Sequence, residues 1–350
     1  MARPIVSFVL PIFNAEYFLF DSINSILGQS FPYWELLIVD DGSTDNSLTV
    51  INSFNDYRIK ILKNEINRGI VNALNQGLRA AQGKYIARMD ADDICEPERI
   101  ERQVEYMEAN PNIILSGTKA KVIDGNGVWQ NGLIEVISGD QRIKAALLFS
   151  CPFVHPSIMI RREALIVSGL QYDTRISYAQ DYVLYSQLWK YGSFGNLPQP
   201  LLRYRVHGKE VRITSDTNNA AILKSRMLAW RNLLQELQLD ADDDILRIHD
   251  KCVYYIDRIK AQEMALIPDY LQFLKLLGVQ NNKQQIFDTN FFRVNLKLMA
   301  YKVLRNPRLG TAMFLNLWLS HTGLLGLHFW LKLPFKRAKD RLTMLGDKKG

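Results

Sequence analysis

The chain has 350 residues, 47% of them hydrophobic, with 43 Lys and Arg against 36 Asp and Glu. That length exceeds the needs of one small core and predicts a main domain with an added module, while the apolar content excludes a disordered chain. Cys95, Cys151 and Cys252 are odd in number and far apart, which argues against a disulfide framework or a zinc site and for reduced thiols in a reducing compartment.

No basic stretch followed by an apolar one opens the chain. The first apolar run, Ile5 to Phe13, is interrupted by Pro11 and leads into Asn14-Ala15-Glu16, so export by a signal peptide is not expected. From there to residue 118, short apolar runs alternate with amphipathic ones: Ile5 to Leu10 then Tyr17 to Leu27, Leu36 to Val39 then Ser47 to Phe54, Ile59 to Leu62 then Ile70 to Ala80, and Tyr85 to Met89 then Ile100 to Met107. Strand followed by helix, four times, is the pattern of an α/β sheet fold. A nucleotide in such a sheet binds at the carboxyl ends of the strands, where Pro11, Asp40-Asp41 and Asp90 to Asp93 all fall. No Gly-x-Gly-x-x-Gly follows the first strand and no Gly-Lys-Ser/Thr appears, which removes the main support for dinucleotide and P-loop readings.

The second strand ends in Asp40-Asp41-Gly42-Ser43-Thr44-Asp45. A tight turn accounts for Gly42, and a helix cap accounts for Asp45, but neither accounts for Asp40 and Asp41. The fourth strand ends in Asp90-Ala91-Asp92-Asp93. Asp93 could cap a helix starting near Glu96-Pro97, yet three carboxylates in four residues exceed the needs of a cap and call for a cation. Hard oxygen donors suit Mg²⁺ or Mn²⁺ carrying the phosphates of a substrate.

These residues resemble the family 2 inverting glycosyltransferases of the bacterial surface-polysaccharide type, which have the GT-A fold. Val6 to Asn14 is similar to that family's opening strand and Ile38 to Asp45 to its second signature. Asn67-Arg68-Gly69, Asn75, Gly77 and Gly83-Lys84-Tyr85 lead into the acidic motif as they do there. The match covers about residues 4–210. The resemblance implies a Rossmann-like nucleotide-diphospho-sugar transferase fold. It implies that Asp40 receives the nucleobase edge, that Asp90 holds the ribose, and that Asp92 binds the metal between the two phosphates. Pro11, Asp41 and Arg68 fall in the same nucleotide-binding set, although a solvated Arg68 is nearly as well supported.

Beyond residue 118, Asp124-Gly125-Asn126-Gly127 reads as a hairpin turn in an acceptor-side insertion. Cys151 to Ser157 resembles the family's segment bordering the acceptor, with His155 either a loop residue or a substrate contact. Ser177 to Leu184 opens a helix read as amphipathic through Val183, Leu184, Leu188 and Trp189, with Asp181 in its first turn. Asp181 alone reads as a dipole-favoured helix residue. The resemblance makes it the general base, although Gln180 stands where many relatives have Glu, which leaves that neighbour's role open. Leu201 to His207 reads as a strand with alternating basic and apolar positions. There Arg205 is a candidate partner for diphosphate and His207 a candidate metal ligand that would favour manganese.

Residues 218–310 are helical by pattern, and the run Asp240 to Asp244 reads as a loop ending at a helix start. From Leu309 to Leu331 no charged residue occurs, with basic residues on both sides. Asn316, Ser320, His321 and His328 interrupt that stretch, which favours an interfacial, monotopic segment over a span or a buried helical pair. Charge is uneven: residues 1–110 carry 10 Lys/Arg against 16 Asp/Glu, and residues 280–350 carry 13 against 3. The expected organisation is a catalytic domain over 1–215, with a nucleotide-binding half at 1–118 and an acceptor half at 119–215. A helical module over 216–308 and a membrane-associating segment over 309–350 follow. The expected protein is cytoplasmic and peripheral or monotopic on the inner membrane face. It moves a sugar from a nucleotide donor, UDP first, to a saccharide hydroxyl on a polyprenyl-diphosphate-type acceptor, with Mn²⁺ or Mg²⁺ and without nucleic acid. The competing readings are a sugar nucleotidyltransferase and an inactive membrane- or nucleic-acid-binding protein on the same fold.

Overall fold

A computed structural model describes residues 3–206, 219–306, 309 and 311–320. In chain order its elements are β1 (Val6–Ile12), α1 (Glu16–Leu27), β2 (Trp34–Asp40), α2 (Ser47–Asn52), β3 (Ile59–Lys63), α3 (Ile70–Ala80), β4 (Tyr85–Arg88), β5 (Ile94–Cys95), α4 (Arg99–Ala109), β6 (Ile113–Ile123), β7 (Trp129–Ile134) and α5 (Asp140–Ala146). There follow β8 (Met159–Arg161), α6 (Arg162–Ser168), α7 (Gln180–Leu188), β9 (Ser193–Arg205), α8 (Asn219–Glu236), α9 (Asp243–Tyr254), α10 (Ile267–Gln284), α11 (Thr289–Arg305) and α12 (Thr311–Ser320). The chain forms two compact units, one of Met1–Lys144 and Cys151–Ser225, the other of Ala145–Ser150 and Arg226–Gly350.

The first unit is built on one sheet whose path runs β3-β2-β1-β4-β8-β6-β9-β5, with β7 paired to β6. The strands β3, β2, β1 and β4 are parallel, with Ile12 opposite Asp40 and Val6 opposite Tyr85. Every residue of β1, β2 and β4 is buried, as expected of parallel strands covered on both faces, and their Val-, Ile- and Leu-rich sequences follow from that. The alternation read from the sequence is therefore the architecture of residues 6–109. Helix α3 lies close on β1 because Gly77 has no side chain: a Cβ there would stand 2.4 Å from a Val9 methyl carbon.

The structure corrects the sequence reading in three places. The helix after the acidic cluster starts at Arg99, not near Glu96, because Ile94–Cys95 pairs with Leu202 and Arg203 of β9 first. Helix α7 is not amphipathic: seven of its nine residues are buried, so it is an interior helix with no solvent face for the pattern to record. Strand β9 begins at Ser193, well before the stretch read as a strand, because it tracks β6 in parallel along its whole length. The expected hairpin at Asp124 to Gly127 joins β6 to β7.

The second unit is helical, as its sequence pattern implied. Asp242 caps α9 by accepting the Ile245 N–H at 2.8 Å, and Asp288 caps α11 by accepting the Phe291 N–H at 2.6 Å. Its buried polar centre is His249, whose Nε2 donates to the Leu148 carbonyl at 2.7 Å while Nδ1 accepts from the Tyr270 hydroxyl at 3.0 Å. Trp230, Phe149 and Phe273 enclose the ring. Among the described residues no helix is long and apolar enough to cross a membrane. Most of the apolar stretch after residue 309, the basic tail, and His207 lie outside the described residues.

Candidate active site

The carboxyl ends of β1, β2 and β4 bring the acidic motifs to one edge of the first unit's sheet. Pro11 is buried one residue before the end of β1, and Asp40 is the last residue of β2. Asp40 Oδ1 accepts the Ser43 N–H at 2.9 Å, and its other carboxylate oxygen is buried without a partner. Asp41 turns the other way. Its two oxygens accept Asn64 Nδ2 at 2.8 Å and the N–H groups of Arg68 and Gly69 at 3.0 and 2.7 Å, so it pins the loop after β3 beside the end of β2. The Arg68 side chain is left exposed. Gly42 is required between them: its φ is +80°, and a Cβ would stand 2.8 Å from the Ile66 carbonyl carbon. The N-cap of α2 is Asn46, not Asp45: Asp45 stands one residue earlier, accepting the Ser47 N–H at 3.0 Å in a local turn, and its second oxygen takes the Glu16 N–H at the start of α1.

The acidic cluster follows β4. Asp90, Asp92 and Asp93 each offer one oxygen, and these atoms lie within 4.8 Å of one another. Asp90 is gripped by the two Nη groups of Arg88, which is itself 5% exposed inside the buried strand and leaves its Nε without a partner. Asp93 does not cap a helix. Its Oδ1 accepts the Arg205 N–H at 2.8 Å, and Oδ2 is buried and unpartnered. The Arg205 guanidinium holds the cluster's backbone, donating from Nε to the Asp92 carbonyl at 2.7 Å and from Nη1 to the carbonyls of Asp124 and Gly125 at 3.1 and 2.9 Å. The hairpin turn and the acidic loop are thereby tied through one side chain.

Burial, then the charge of Asp92 and Asp181, pushes the Asp90 carboxyl above its usual range against the pull of Arg88. Burial, followed by Asp90 and Asp92, pushes Asp93 well above it. Tyr204 on β9 is pushed up to about 12, by burial first and then by the same three aspartates. A convergent set of hard oxygens whose own charges oppose one another, with one buried oxygen unsatisfied, fits a divalent cation of the Mg²⁺ or Mn²⁺ kind.

Asp181 stands in the first turn of α7, after Ala179 in the left-handed region at φ 51°. The Cys151 thiol donates to its Oδ2 at 3.7 Å. Burial pushes its carboxyl above the usual range, while the Tyr182 N–H, Arg88 and the thiol pull the other way. Gln180 is the first residue of α7 and is buried. Alongside, His155 Nε2 and the Tyr172 hydroxyl share a hydrogen bond of 2.9 Å, and Asn75 of α3 fixes the Tyr172 backbone with bonds of 2.8 and 3.0 Å. Burial and the nearby Arg88 charge hold the His155 imidazole neutral, well below its usual range.

Arg88 thus acts electrostatically on the acidic cluster, on Asp181 and on His155. The structure places Asp90, Asp92, Asp93, Asp181 and His155 in one charged neighbourhood, with Asp40 on the same sheet edge. Asp41 has its carboxylate engaged in holding a loop, and Arg205 does the same through its N–H, Nε and Nη1, while its Nη2 is buried without a hydrogen bond, 3.9 Å from Asp21. Sequence reading gave no role to Arg88, Cys151 or the second oxygen of Asp93. The available signal was Arg88 itself, a cation within an otherwise apolar strand, where a charge is retained only with a buried partner.

Residues 7–168 match the Glycosyl transferase family 2 profile. A glycosyltransferase of Haemophilus influenzae described as uncharacterized is 34% identical over 221 residues, which cover 59% of this chain and 67% of that protein. The Escherichia coli UDP-Glc:alpha-D-GlcNAc-diphosphoundecaprenol beta-1,3-glucosyltransferase WfgD is 39% identical over 124 residues, 35% of this chain and 49% of its own length. Among solved structures, S. aureus TarS 1-349 in complex with UDP-GlcNAc superposes with a TM-score of 0.57 at 17% identity, covering 84% of this chain and 90% of that one. That likeness is one of fold, and the fold is GT-A, as the motifs implied. The chain belongs to glycosyl transferase family 2.

Proposed function

We propose that this glycosyltransferase moves a sugar, with inversion at the anomeric carbon, from a UDP-linked donor to a hydroxyl of a lipid-linked saccharide acceptor in surface polysaccharide assembly. The observation that carries the reading is the convergence of the Asp90, Asp92 and Asp93 oxygens within 4.8 Å, in the same charged neighbourhood as Asp181. WfgD's stated substrates support the choice of donor base and acceptor class.

In this reading Asp40 receives the base through its unpartnered oxygen and Asp90 the ribose, with Pro11 and the Asp41-anchored loop shaping the nucleotide pocket and Arg68 beside it. Asp92, with Asp93 in reach, would hold Mn²⁺ or Mg²⁺. When bound, that ion neutralises charge on the leaving diphosphate. His207 is a further candidate ligand. Asp181 accepts the proton of the acceptor hydroxyl as that oxygen attacks the anomeric carbon on the face opposite the diphosphate. The new glycosidic bond forms, the bond to the phosphate oxygen breaks, and UDP leaves with the electron pair. A carboxylate whose pKa is raised by burial is a better base at neutral pH than an ordinary aspartate. His155, held neutral, and Gln180 border the acceptor, while Arg205 keeps the acidic loop and hairpin in place. Catalysis is assigned to residues 1–215, with 216–308 as a helical module and 309–350 as a membrane-associating segment, at the cytoplasmic face of the membrane.

The test is release of free nucleoside diphosphate from a panel of nucleotide sugars with Mn²⁺ or Mg²⁺, a membrane lipid extract serving as acceptor. Metal-dependent UDP release that disappears in Asp92→Asn and Asp181→Asn supports transfer. Pyrophosphate as the product would assign a nucleotidyltransferase instead.

A further inference from the structure

At the opposite edge of the same sheet, where β1 and β4 begin, lies a cavity of about 420 Å³ with four basic residues in its wall: Arg3, Lys84, Arg161 and Arg162. The register that sets Val6 opposite Tyr85 and Tyr85 opposite Arg161 brings them there. Arg161 is braced by the Tyr85 hydroxyl and by the carbonyls of Ile113 and Met107, and Lys84 pairs with Glu108 at 2.6 Å. Among the described residues Arg3 and Arg162 have no acidic partner, and Glu163 is the only carboxylate lining the cavity. Next to these cations α6 turns two aliphatic side chains outward: Ile166, which lines the cavity, is 62% exposed and Val167 is 71% exposed.

A soluble anion would account for the arginines but not for two adjacent exposed aliphatic residues. A bilayer accounts for both, since cations meet its phosphates while apolar side chains enter the headgroup layer. We infer that this face, formed by Arg3, Lys84, Arg162, Ile166 and Val167, docks the protein on an anionic lipid surface. The inference deepens the proposed function, resting on its membrane-presented acceptor. The seven residues of β1 separate this face from the acidic edge, a span of about 20 Å. That is more than two screening lengths of about 8 Å at physiological salt, so the bilayer charge does not oppose the diphosphate site.

Hydrogen exchange on the full chain, followed in peptides covering residues 161–168, tests the face locally and is independent of any binding by other segments. Phosphatidylglycerol vesicles are expected to slow exchange in these peptides, while phosphatidylcholine vesicles and inorganic phosphate leave it unchanged. Replacing Arg3→Gln and Arg162→Gln together should weaken vesicle binding through this face about twenty-five-fold, about fivefold for each arginine. No protection with anionic vesicles would overturn the inference. Protection by inorganic phosphate alone would overturn it too, in favour of a soluble-anion site. Mn²⁺-dependent UDP binding measured on the same double variant reports the transfer reading separately and is expected to be unchanged.

Discussion

The acidic edge of the first unit and the polar centre of the second bury ionisable groups to opposite ends. Both nitrogens of His249 have partners, a carbonyl and a hydroxyl, and the ring is closed in by aromatic side chains. At the acidic edge Asp40 Oδ2, Arg88 Nε, Asp93 Oδ2 and Arg205 Nη2 are buried without a hydrogen bond. An unsatisfied buried polar atom costs about 1–3 kcal/mol, so four on one edge support the ligand site proposed there. His249 is completed by the chain itself, and it belongs to stability.

The largest expected effect tests the functional side of that contrast. Asp181→Asn keeps the shape of the side chain but removes its basicity, and should lower kcat by about 10²–10⁴, with nucleotide binding intact by titration. Equal loss of nucleotide affinity would make Asp181 a structural residue instead. The native pH profile sharpens the same point. Because burial raises the Asp181 pKa, the base is protonated, and activity lost, at a higher pH than for an ordinary aspartate as pH falls. An acid limb at or below the ordinary carboxylate range would contradict the assignment.

On the structural side, His249 has its pKa lowered from 6.5 to about 4 by burial. Folding therefore favours the neutral ring. The stability it supports is fully present above 6.5 and is lost as pH falls toward 4, which amounts to about 2 kcal/mol between pH 7 and pH 5. Denaturant titrations at the two pH values measure it, and His249→Gln should flatten the dependence while lowering stability at pH 7. A slope that survives the substitution would place the acid sensitivity elsewhere. Asp41→Ala tests stability and function together within the first unit: it strips the acceptor for the Arg68 and Gly69 N–H groups and should cost about 1–3 kcal/mol. Nucleotide affinity should fall with it, because the loop it anchors borders Asp40. Unchanged stability would mean that this loop holds itself.

Residues 6–109 were legible in the sequence because β1, β2 and β4 are mostly apolar runs and the helices between them are amphipathic, so each period matches its environment. The acidic edge was legible as spaced motifs. Helix α7 was misread in character because a helix buried on nearly all sides leaves no polar face to count. The start of β9 was missed because Ser193 to Pro200 carries Gly, Asn and two prolines, and its strand character comes from pairing with β6. Local spacing offered a cap as the alternative to metal binding for Asp93. Its actual partner, the Arg205 N–H, lies 112 residues away, beyond the reach of any local rule. The same holds for Arg88, whose influence on both the acidic cluster and Asp181 exists only in the folded chain.

The central claim is that the acidic edge is a metal-diphosphate site, and calorimetric titration of UDP with and without Mn²⁺ tests it most directly. The account predicts that Mn²⁺ strengthens UDP binding to the native chain at least tenfold and does nothing for a chain carrying Asp92→Asn and Asp93→Asn. UDP affinity that is the same with and without the ion, in the native chain as in the variant, would contradict it.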